Sequence, residues 1–367
     1  MDRGEDFVLS YSHIEKRQGE DGSTNMAIRI GLVGYGVGGQ LFHAPYLRAS
    51  EECELVAVVA RSDRAVHAAR EDNPDAAILP SLDAMLDIGI DAVVISTPPE
   101  TRRDLVLSAL DRGGAVVADK PFAPTADDAQ FLVDRARERG ILLNVFHNRR
   151  RDTDIVTAQG VIAGGSLGTL RGLDLRLDLD EPGSLEAGPS GGLLRDLGSH
   201  VVDQALLLLG PARTVTARLG WIDLPDGRTD SRFAIGIEHT SGAHSRISAS
   251  KLDHLTSKEI RLFGDDGSYV SDFSDVQIAA LRRGVQPSDG RSSWGYEESA
   301  RWGTLHTAAG DSIVPSAQGD YATYYDEFAH AVAHGGAGPV PAEEAVAVLR
   351  VLDAVIVSDL EGRSVAV

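Results

Sequence analysis

The sequence has few of the features that mark secreted or membrane proteins. Its 367 residues include one cysteine, Cys53, so neither an internal disulfide nor a cysteine-based zinc cluster can form. No apolar run approaches the roughly 18 residues that a membrane-spanning helix needs. Residues 1–25 contain no signal-peptide core. These absences favour a cytoplasmic protein in a reducing compartment that does not bind a membrane.

Basic charge is also scarce. The formal net charge is −20, and the strongest basic run is only Arg149–Arg151. A protein that binds nucleic acid needs a basic stripe to meet the phosphate backbone. The sequence therefore predicts no nucleic-acid partner, and an anionic ligand would have to be held by specific local groups.

Residues 1–25 lack periodicity and end in a Gly/Ser/Thr/Asn cluster, which predicts a disordered leader; Met26 is an alternative first residue. Over residues 26–148, short runs rich in Val, Ile and Leu alternate six times with amphipathic segments. This pattern is typical of an α/β domain with a doubly wound parallel sheet, the Rossmann architecture. The candidate strands are IRIGLVG, CELVAVVA, AAIL, DAVVIST, GAVVAD and ILLNVF.

Residues 149–367 have a different pattern. The segment LDLRLDLD, Leu173–Asp180, alternates leucine with charge, as a strand with one buried face does. Four similar segments follow, and helices are expected over Tyr321–His334 and Pro341–Leu360. We predict an α+β domain with a mainly antiparallel open sheet and helices on one face. Residues 282–315 are rich in Gly and Ser and are expected to form an irregular surface segment.

A glycine motif follows the first predicted strand. Gly34, Gly36 and Gly39 stand in G-x-G-x-x-G register around Tyr35, with a strand before them and a helix after them. Such glycines let backbone N–H groups approach a pyrophosphate. The motif alone is also compatible with an ordinary glycine-rich turn, but its position in the first unit of a doubly wound sheet favours dinucleotide binding.

The end of the second strand bears on cofactor choice. NAD sites usually carry an acidic residue there to bind the ribose 2′-hydroxyl, whereas this chain has Arg61 and Ser62. Both can bind a 2′-phosphate. NADP is therefore favoured, and NAD remains an alternative because Asp63 could turn inward.

Several motifs occur together in one order: the glycine loop, STPPETRRDLVLSAL, VVADKPFAPT and SGGLLRDLGSHVVDQALLLLG. In this order they resemble the Gfo/Idh/MocA family of oxidoreductases, which includes glucose-fructose oxidoreductase and inositol dehydrogenase. The segment FHNRRRDTD resembles the branch that contains NADP-dependent scyllo-inositol dehydrogenases. The resemblance covers nearly the whole chain after Met26.

The resemblance implies roles for individual residues. Lys120 would lie beside the nicotinamide and contact the reacting hydroxyl, and Pro121 after it would be cis. His200 would be the general base and Asp196 would bind a neighbouring substrate hydroxyl. Pro98 would lie by the nicotinamide. Asn148 and Arg149 would line the cleft near the cofactor, with a solvated junction between the domains as the alternative location.

Residue spacing by itself leaves other interpretations open for Asp196 and His200 in the SGGLLRDLGSHVVDQALLLLG segment. Asp196 and His200 stand four apart on a predicted helix, which places them on one face roughly 6 Å apart. Such a pair also occurs on solvated helices. Asp203 could complete a mixed metal site, but no other His/Cys cluster offers partners, so no metal is expected.

The chain departs from the family pattern at several positions. Pro99 and Arg102 stand where relatives carry Asn and a later His, and Ser190 replaces a glycine. Arg195, directly before Asp196, replaces a frequent Tyr. Arg195 is therefore a candidate substrate-binding residue.

These observations predict an NAD(P)-dependent oxidoreductase that transfers hydride between nicotinamide and a secondary alcohol or ketone of a cyclic polyol, sugar or sugar derivative. The resemblance also implies a homodimer or homotetramer formed through the C-terminal sheet of a substrate-binding and oligomerisation domain. Two alternatives remain open: a non-catalytic NADP-binding regulator, and an NAD-dependent glycosidase that uses transient oxidation.

Overall fold

The computed structural model describes residues 27–188 and 191–367. The predicted leader and Ser190 lie outside the described residues. Within the described ranges, no helix is long and apolar enough to cross a membrane.

The first sheet has six parallel strands in the order β3-β2-β1-β4-β5-β6. Its central strands are buried on both faces, which explains their unbroken Val, Ile and Ala runs. The strands are β1 Ile28–Val33, β2 Cys53–Val59, β3 Ala77–Leu79, β4 Ala92–Ile95, β5 Ala115–Asp119 and β6 Leu143–Phe146. The helices are α1 Ala44–Ala49, α2 Asp63–Asp72, α3 Leu82–Asp87, α4 Pro99–Asp111 and α5 Ala126–Arg139.

The strand order reverses direction at β1, whose neighbours are β2 on one side and β4 on the other. A crevice forms at the carboxyl ends of the strands at such a point, and ligands of open α/β sheets bind there. The glycine motif follows β1, and the Lys120 turn follows β5 at the same edge of the sheet.

The second sheet has nine strands in the order β14-β13-β12-β11-β7-β10-β9-β8-β15. All neighbouring pairs are antiparallel except β7 with β10. Its strands are β7 Leu170–Asp178, β8 Ala212–Leu224, β9 Gly227–His239, β10 His244–Ser250, β11 Ser257–Gly264, β12 Gly267–Phe273, β13 Gly303–Thr307, β14 Gly310–Val314 and β15 Val365–Ala366. Its helices are α6 Thr153–Ala163, α7 Ser199–Leu209, α8 Val276–Arg282, α9 Ala322–His334 and α10 Ala342–Glu361.

Helices α6, α7 and α10 pack on the second sheet, and α10 also packs on α5 of the first domain. One apolar core runs from Val93 in β4 to Leu352 in α10. The predicted fold class, a doubly wound parallel sheet followed by a mainly antiparallel sheet with helices, is thereby confirmed.

The prediction of an irregular segment over residues 282–315 was wrong in part. It contains the hairpin β13–β14, which extends the second sheet by pairing β13 with β12. The hairpin lies at the sheet edge and β14 is mostly exposed, so it lacks the apolar alternation that reveals a strand in a sequence.

Candidate active site

The glycine loop can accommodate a diphosphate. Gly34 has a φ of +101°, and a Cβ there would lie 2.2 Å from the carbonyl oxygen of Ser96. A Cβ on Gly39 would lie 2.1 Å from the oxygen of Gly34. A Cβ on Gly36, by contrast, would have no atom within 4 Å, so the backbone there faces open space. Two glycines are thus required by tight packing, and the third leaves room for a ligand to approach the backbone.

The helix after the loop differs from a regular Rossmann helix. Gly38–His43 is π-helical and leads directly into α1. The side chain of Tyr35 is buried, and its hydroxyl donates to Asp72 and accepts from Asn73. Any contact of Tyr35 with a cofactor would therefore come from its backbone.

The residues after β2 are exposed. The hydroxyl of Ser62 accepts from the N–H of Ala65 at 3.2 Å and caps α2. Arg61 and Arg64 are exposed, and within the described residues neither forms an ion pair. Their guanidinium groups are thus available to a phosphate at this edge.

The turn that carries Lys120 is fixed by the carboxylate of Asp119. The Lys120 N–H donates to Oδ1 at 2.7 Å, and the Ser96 hydroxyl donates to Oδ2 at 2.8 Å. His43 Nε2 lies 3.1 Å from the same Oδ2, while its Nδ1 meets the Tyr325 hydroxyl. Burial alone would raise the pKa of Asp119, but His43, Arg102 and Lys120 outweigh it and hold that pKa well below its usual range. The Lys120–Pro121 peptide bond is cis, as expected.

Arg102, the first departure from the family pattern, is buried beneath the same turn. Its guanidinium donates to the carbonyl oxygens of Asp119, Pro121 and Thr97. The side chain thereby ties the end of β4 to both sides of Lys120. Burial lowers the pKa of Arg102 to about 10.

Lys120 and Asp196 meet between the two domains. The Lys120 ammonium donates to Oδ1 of Asp196 at 3.0 Å and to its backbone oxygen at 3.2 Å. A second lysine, Lys251 at the end of β10, donates to Oδ2 of Asp196 at 2.8 Å and to the Ser184 hydroxyl at 2.8 Å. Burial would raise the pKa of Asp196, but the two lysines hold it well below its usual range. Asp196 is therefore ionised at neutral pH.

The helix that carries His200 is distorted at the site. Leu194–Gly198 is π-helical, and α7 begins only at Ser199. The spacing of Asp196 and His200 therefore spans a junction, and π-helical turns often mark functional sites. The His200 ring is buried, its Nδ1 has no partner among the described residues, and no hydrogen bond joins it to Asp196.

The charge state of His200 is set by its surroundings. Burial and the nearby cations Lys120, Arg149 and Lys258 lower its pKa well below the ordinary value. The imidazole is therefore neutral at physiological pH and can accept a proton.

The other predicted site residues lie in different surroundings. Pro98 is exposed and directly precedes α4, and Asn148 is buried. Arg149 is buried and bridges Asp152 at 3.1 Å and Asp275 at 2.8 Å. It therefore acts on His200 through its charge, and a substrate would compete with two carboxylates for its guanidinium.

Arg195 does not contact the Lys120–Asp196 pair. Burial raises the pKa values of Asp230 and Asp353, and the charge of Arg195 offsets part of this rise, so its guanidinium is near those carboxylates. One of its guanidinium nitrogens, Nη1, is buried without a hydrogen-bond partner among the described residues. The structure thus provides no contact that supports Arg195 in substrate selection.

The alternative metal site has no support in the geometry. The Arg150 guanidinium donates to both carboxylate oxygens of Asp203, at 2.8 and 2.5 Å. Asp203 is therefore paired with Arg150 and is not free to share a metal ion with Asp196. Within residues 27–188 and 191–367, no group of three metal-ligating side chains is placed to hold an ion.

Sequence reasoning missed Lys251 and the contacts of His43. His43 contacts Asp119 and Tyr325, which lie in distant parts of the chain, so no local pattern could indicate these contacts. Lys251 stands in SASKLD, where no motif marks it.

Two family models match the chain. The oxidoreductase family model with an NAD-binding Rossmann fold, GFO_IDH_MocA, matches residues 28–147. The C-terminal α/β domain model of the same family matches residues 162–367.

Individual proteins are similar along nearly their whole length. Scyllo-inositol 2-dehydrogenase (NADP(+)) of Bacillus subtilis is 30% identical over 92% of this chain and 95% of its own length. D-xylose 1-dehydrogenase (NADP(+)) 2 of Haloferax volcanii is 27% identical over 92% of this chain and 98% of its own. The solved structure of the oxidoreductase yvaA from Bacillus subtilis superposes with a TM-score of 0.84 at 30% identity, covering 93% of this chain and 99% of that one.

Proposed function

The chain belongs to the Gfo/Idh/MocA family of NAD(P)-binding oxidoreductases, and from this premise we propose that it oxidises a secondary alcohol of a cyclic polyol or sugar, or reduces the corresponding ketone. The observation that carries the proposal is the contact of Lys120 with Asp196 between the domains, beside a buried, neutral His200. The names of its inositol- and xylose-oxidising relatives support the substrate class.

The nicotinamide, when bound, accepts or returns the hydride. The glycine loop would hold the diphosphate of the dinucleotide cofactor, and Lys120 and Pro98 would lie at the nicotinamide end of that cofactor. This fit rests on the open space at Gly36 and on the position of the loop at the switch point of the sheet.

During oxidation, the neutral His200 imidazole takes the proton of the substrate hydroxyl. The Lys120 ammonium donates to the same oxygen and stabilises the negative charge that develops on it. The ionised Asp196 holds the ammonium in place and counters its charge. In the reverse direction, the imidazolium of His200 returns the proton to the oxygen.

We propose that Arg61 selects NADP by binding the 2′-phosphate. Its exposed guanidinium follows β2, where an acidic residue would repel that phosphate. Arg61→Ala should raise the KM for NADP about tenfold or more and leave the KM for NAD nearly unchanged. Arg70→Ala, at the other end of α2, is the matched control. An equal effect on both cofactors would reject the phosphate role.

We also propose a homodimer or homotetramer formed through the second sheet. The face opposite the helices carries exposed charged residues, including Arg176 and Arg246. Since Arg246 is paired there with Asp174, this face carries charges of both signs, and a second copy of it can place opposite charges against each other. A monomeric mass by light scattering at micromolar concentration would refute this proposal.

The catalytic proposal is tested by following the absorbance of the reduced cofactor. Inositols, sugars, sugar acids and glycosides are each supplied with NADP and with NAD. Lys120→Ala and His200→Ala should each lower kcat on an accepted substrate about 100-fold or more. Variants with wild-type kcat would refute the assigned roles. Release of an aglycone without net reduced cofactor would indicate a glycosidase instead.

A further inference from the structure

Lys251 is a cation beside Asp196 that the proposed mechanism does not use. The chain has only four lysines among its 35 lysines and arginines. The three in the described ranges have poorly exposed side chains: Lys120 is 18%, Lys251 4% and Lys258 8% exposed. Because a buried ammonium is costly without partners, each of these positions depends on specific contacts.

Lys120 and Lys251 bracket one carboxylate. Their ammonium groups lie 3.0 Å from Oδ1 and 2.8 Å from Oδ2 of Asp196. Each oxygen of Asp196 keeps a second acceptor site, and its side chain is 44% exposed, so Asp196 can still accept from a substrate hydroxyl. The two ammonium groups beside it can donate to substrate oxygens at the same place.

Each ammonium keeps one donor. An ammonium has three N–H groups. Lys120 uses two of them on the backbone oxygen and Oδ1 of Asp196. Lys251 uses two on Asp196 and Ser184. The third N–H group of each lysine is therefore left to bind a ligand. The two ammonium groups already contact the two oxygens of one carboxylate, so they lie close together.

We propose that Lys251 is a specificity-determining residue that donates to the oxygen on the carbon next to the reacting carbon, so that the site selects vicinal diols and the corresponding α-hydroxy ketones. This inference rests on the proposed function, in which Lys120 donates to the oxygen of the reacting carbon. Two gauche oxygens on adjacent carbons lie at hydrogen-bonding distance from each other, somewhat farther apart than the two oxygens of a carboxylate. Two ammonium groups held by one carboxylate can therefore each donate to one of them. The lysines with Asp196 carry a net charge of +1, which favours an electron-rich pair of oxygens.

The test compares trans-cyclohexane-1,2-diol with trans-cyclohexane-1,4-diol, isomers that differ in whether the hydroxyls are on adjacent carbons. Binding to the protein–NADPH complex is followed by NADPH fluorescence, and turnover by reduction of NADP. Wild type should bind the 1,2-isomer at least tenfold more tightly. Lys251→Met should weaken that isomer about tenfold to 100-fold, as expected for a lost hydrogen bond to a charged group, and change the 1,4-isomer less than threefold.

Two control variants make the outcomes distinct. Lys251→Arg keeps a cation and should retain part of the preference. Arg171→Met, at an exposed position of β7, should change the binding of neither isomer. Equal binding of both isomers by wild type, or an equal loss of both in Lys251→Met, overturns the inference. The wild-type comparison needs no variant to fold. Preference for the 1,2-isomer without oxidation of any polyol would refute the proposed function, whereas oxidation of a polyol with equal binding of both isomers would refute the role of Lys251 alone.

Discussion

Replacing Arg102 by Met tests whether the lysine turn depends on a buried guanidinium. Arg102 is 2% exposed and donates to three carbonyl oxygens, those of Thr97, Asp119 and Pro121. Met has a similar length and no donor. The substitution would therefore leave three carbonyls without this partner and remove a link between β4 and the turn.

The expected loss of stability follows from two opposing effects. A hydrogen bond to a charged group contributes about 1.5–3 kcal/mol, so three would contribute at least about 4 kcal/mol. Burial of the guanidinium opposes this, because lowering its pKa from 12.5 to about 10 corresponds to about 3 kcal/mol. Since carbonyls left without a partner add their own cost, we expect a net loss of about 3 kcal/mol.

The assay combines thermal melting with kinetics. Arg102→Met should lower Tm by roughly 5–10 °C and lower kcat on an accepted substrate, because Lys120 is held less firmly. Arg102→Lys should restore little, since an ammonium cannot reach all three oxygens in the same way. Arg103→Met is the control, since Arg103 lies next to it on α4 with a 44% exposed side chain. A Tm within 1 °C of wild type, or equal losses for both Met variants, would refute the reasoning.

Two further predictions concern pH and the glycine loop. Burial lowers the pKa of His147 from 6.5 to about 4, so the unfolded chain binds more protons between these values. The free energy of unfolding should be greatest above pH 6.5 and fall by about 3 kcal/mol as pH drops toward 4. In denaturant titrations, His147→Gln should make the free energy of unfolding depend less on pH. An unchanged pH dependence in this variant would show that other groups cause it. Gly39→Ala would place a Cβ 2.1 Å from a backbone oxygen and should weaken NADPH binding, measured by fluorescence, at least tenfold. Gly113→Ala, which is also strained but lies outside the glycine loop, is the control. Wild-type affinity in Gly39→Ala would show that the loop can relax.

Much of the fold could be predicted because its signals are local. Strands buried on both faces must be apolar throughout, so the six parallel strands are visible as short Val- and Ile-rich runs. The hairpin β13–β14 was missed because an exposed edge strand needs no such pattern. The long strand β8 was also not anticipated, since only Val215 and Ala217 in it are fully buried and most of its length lacks a regular apolar alternation.

The sequence likewise predicted only part of the candidate site. Motifs identified Lys120, Asp196 and His200 by their order along the chain, but they could not indicate what each side chain touches. Arg195 attracted attention because it adjoins Asp196 in the sequence, yet its charge lies near Asp230 and Asp353. Neighbours along a helix project in different directions, so adjacency in sequence does not give a shared contact.

The sequence by itself determined the family, the two sheets and the residue types available for hydride-transfer chemistry, because these depend on periodicity and on motifs within short segments. Only the tertiary structure brought Lys251 from the end of β10 to the carboxylate of Asp196, and Arg102 beneath the Lys120 turn. The neutral state of His200 was likewise decided by burial and by cations from distant segments. Charge and hydrogen bonding act through space, so these properties follow from the packed arrangement of the two domains and not from spacing along the chain.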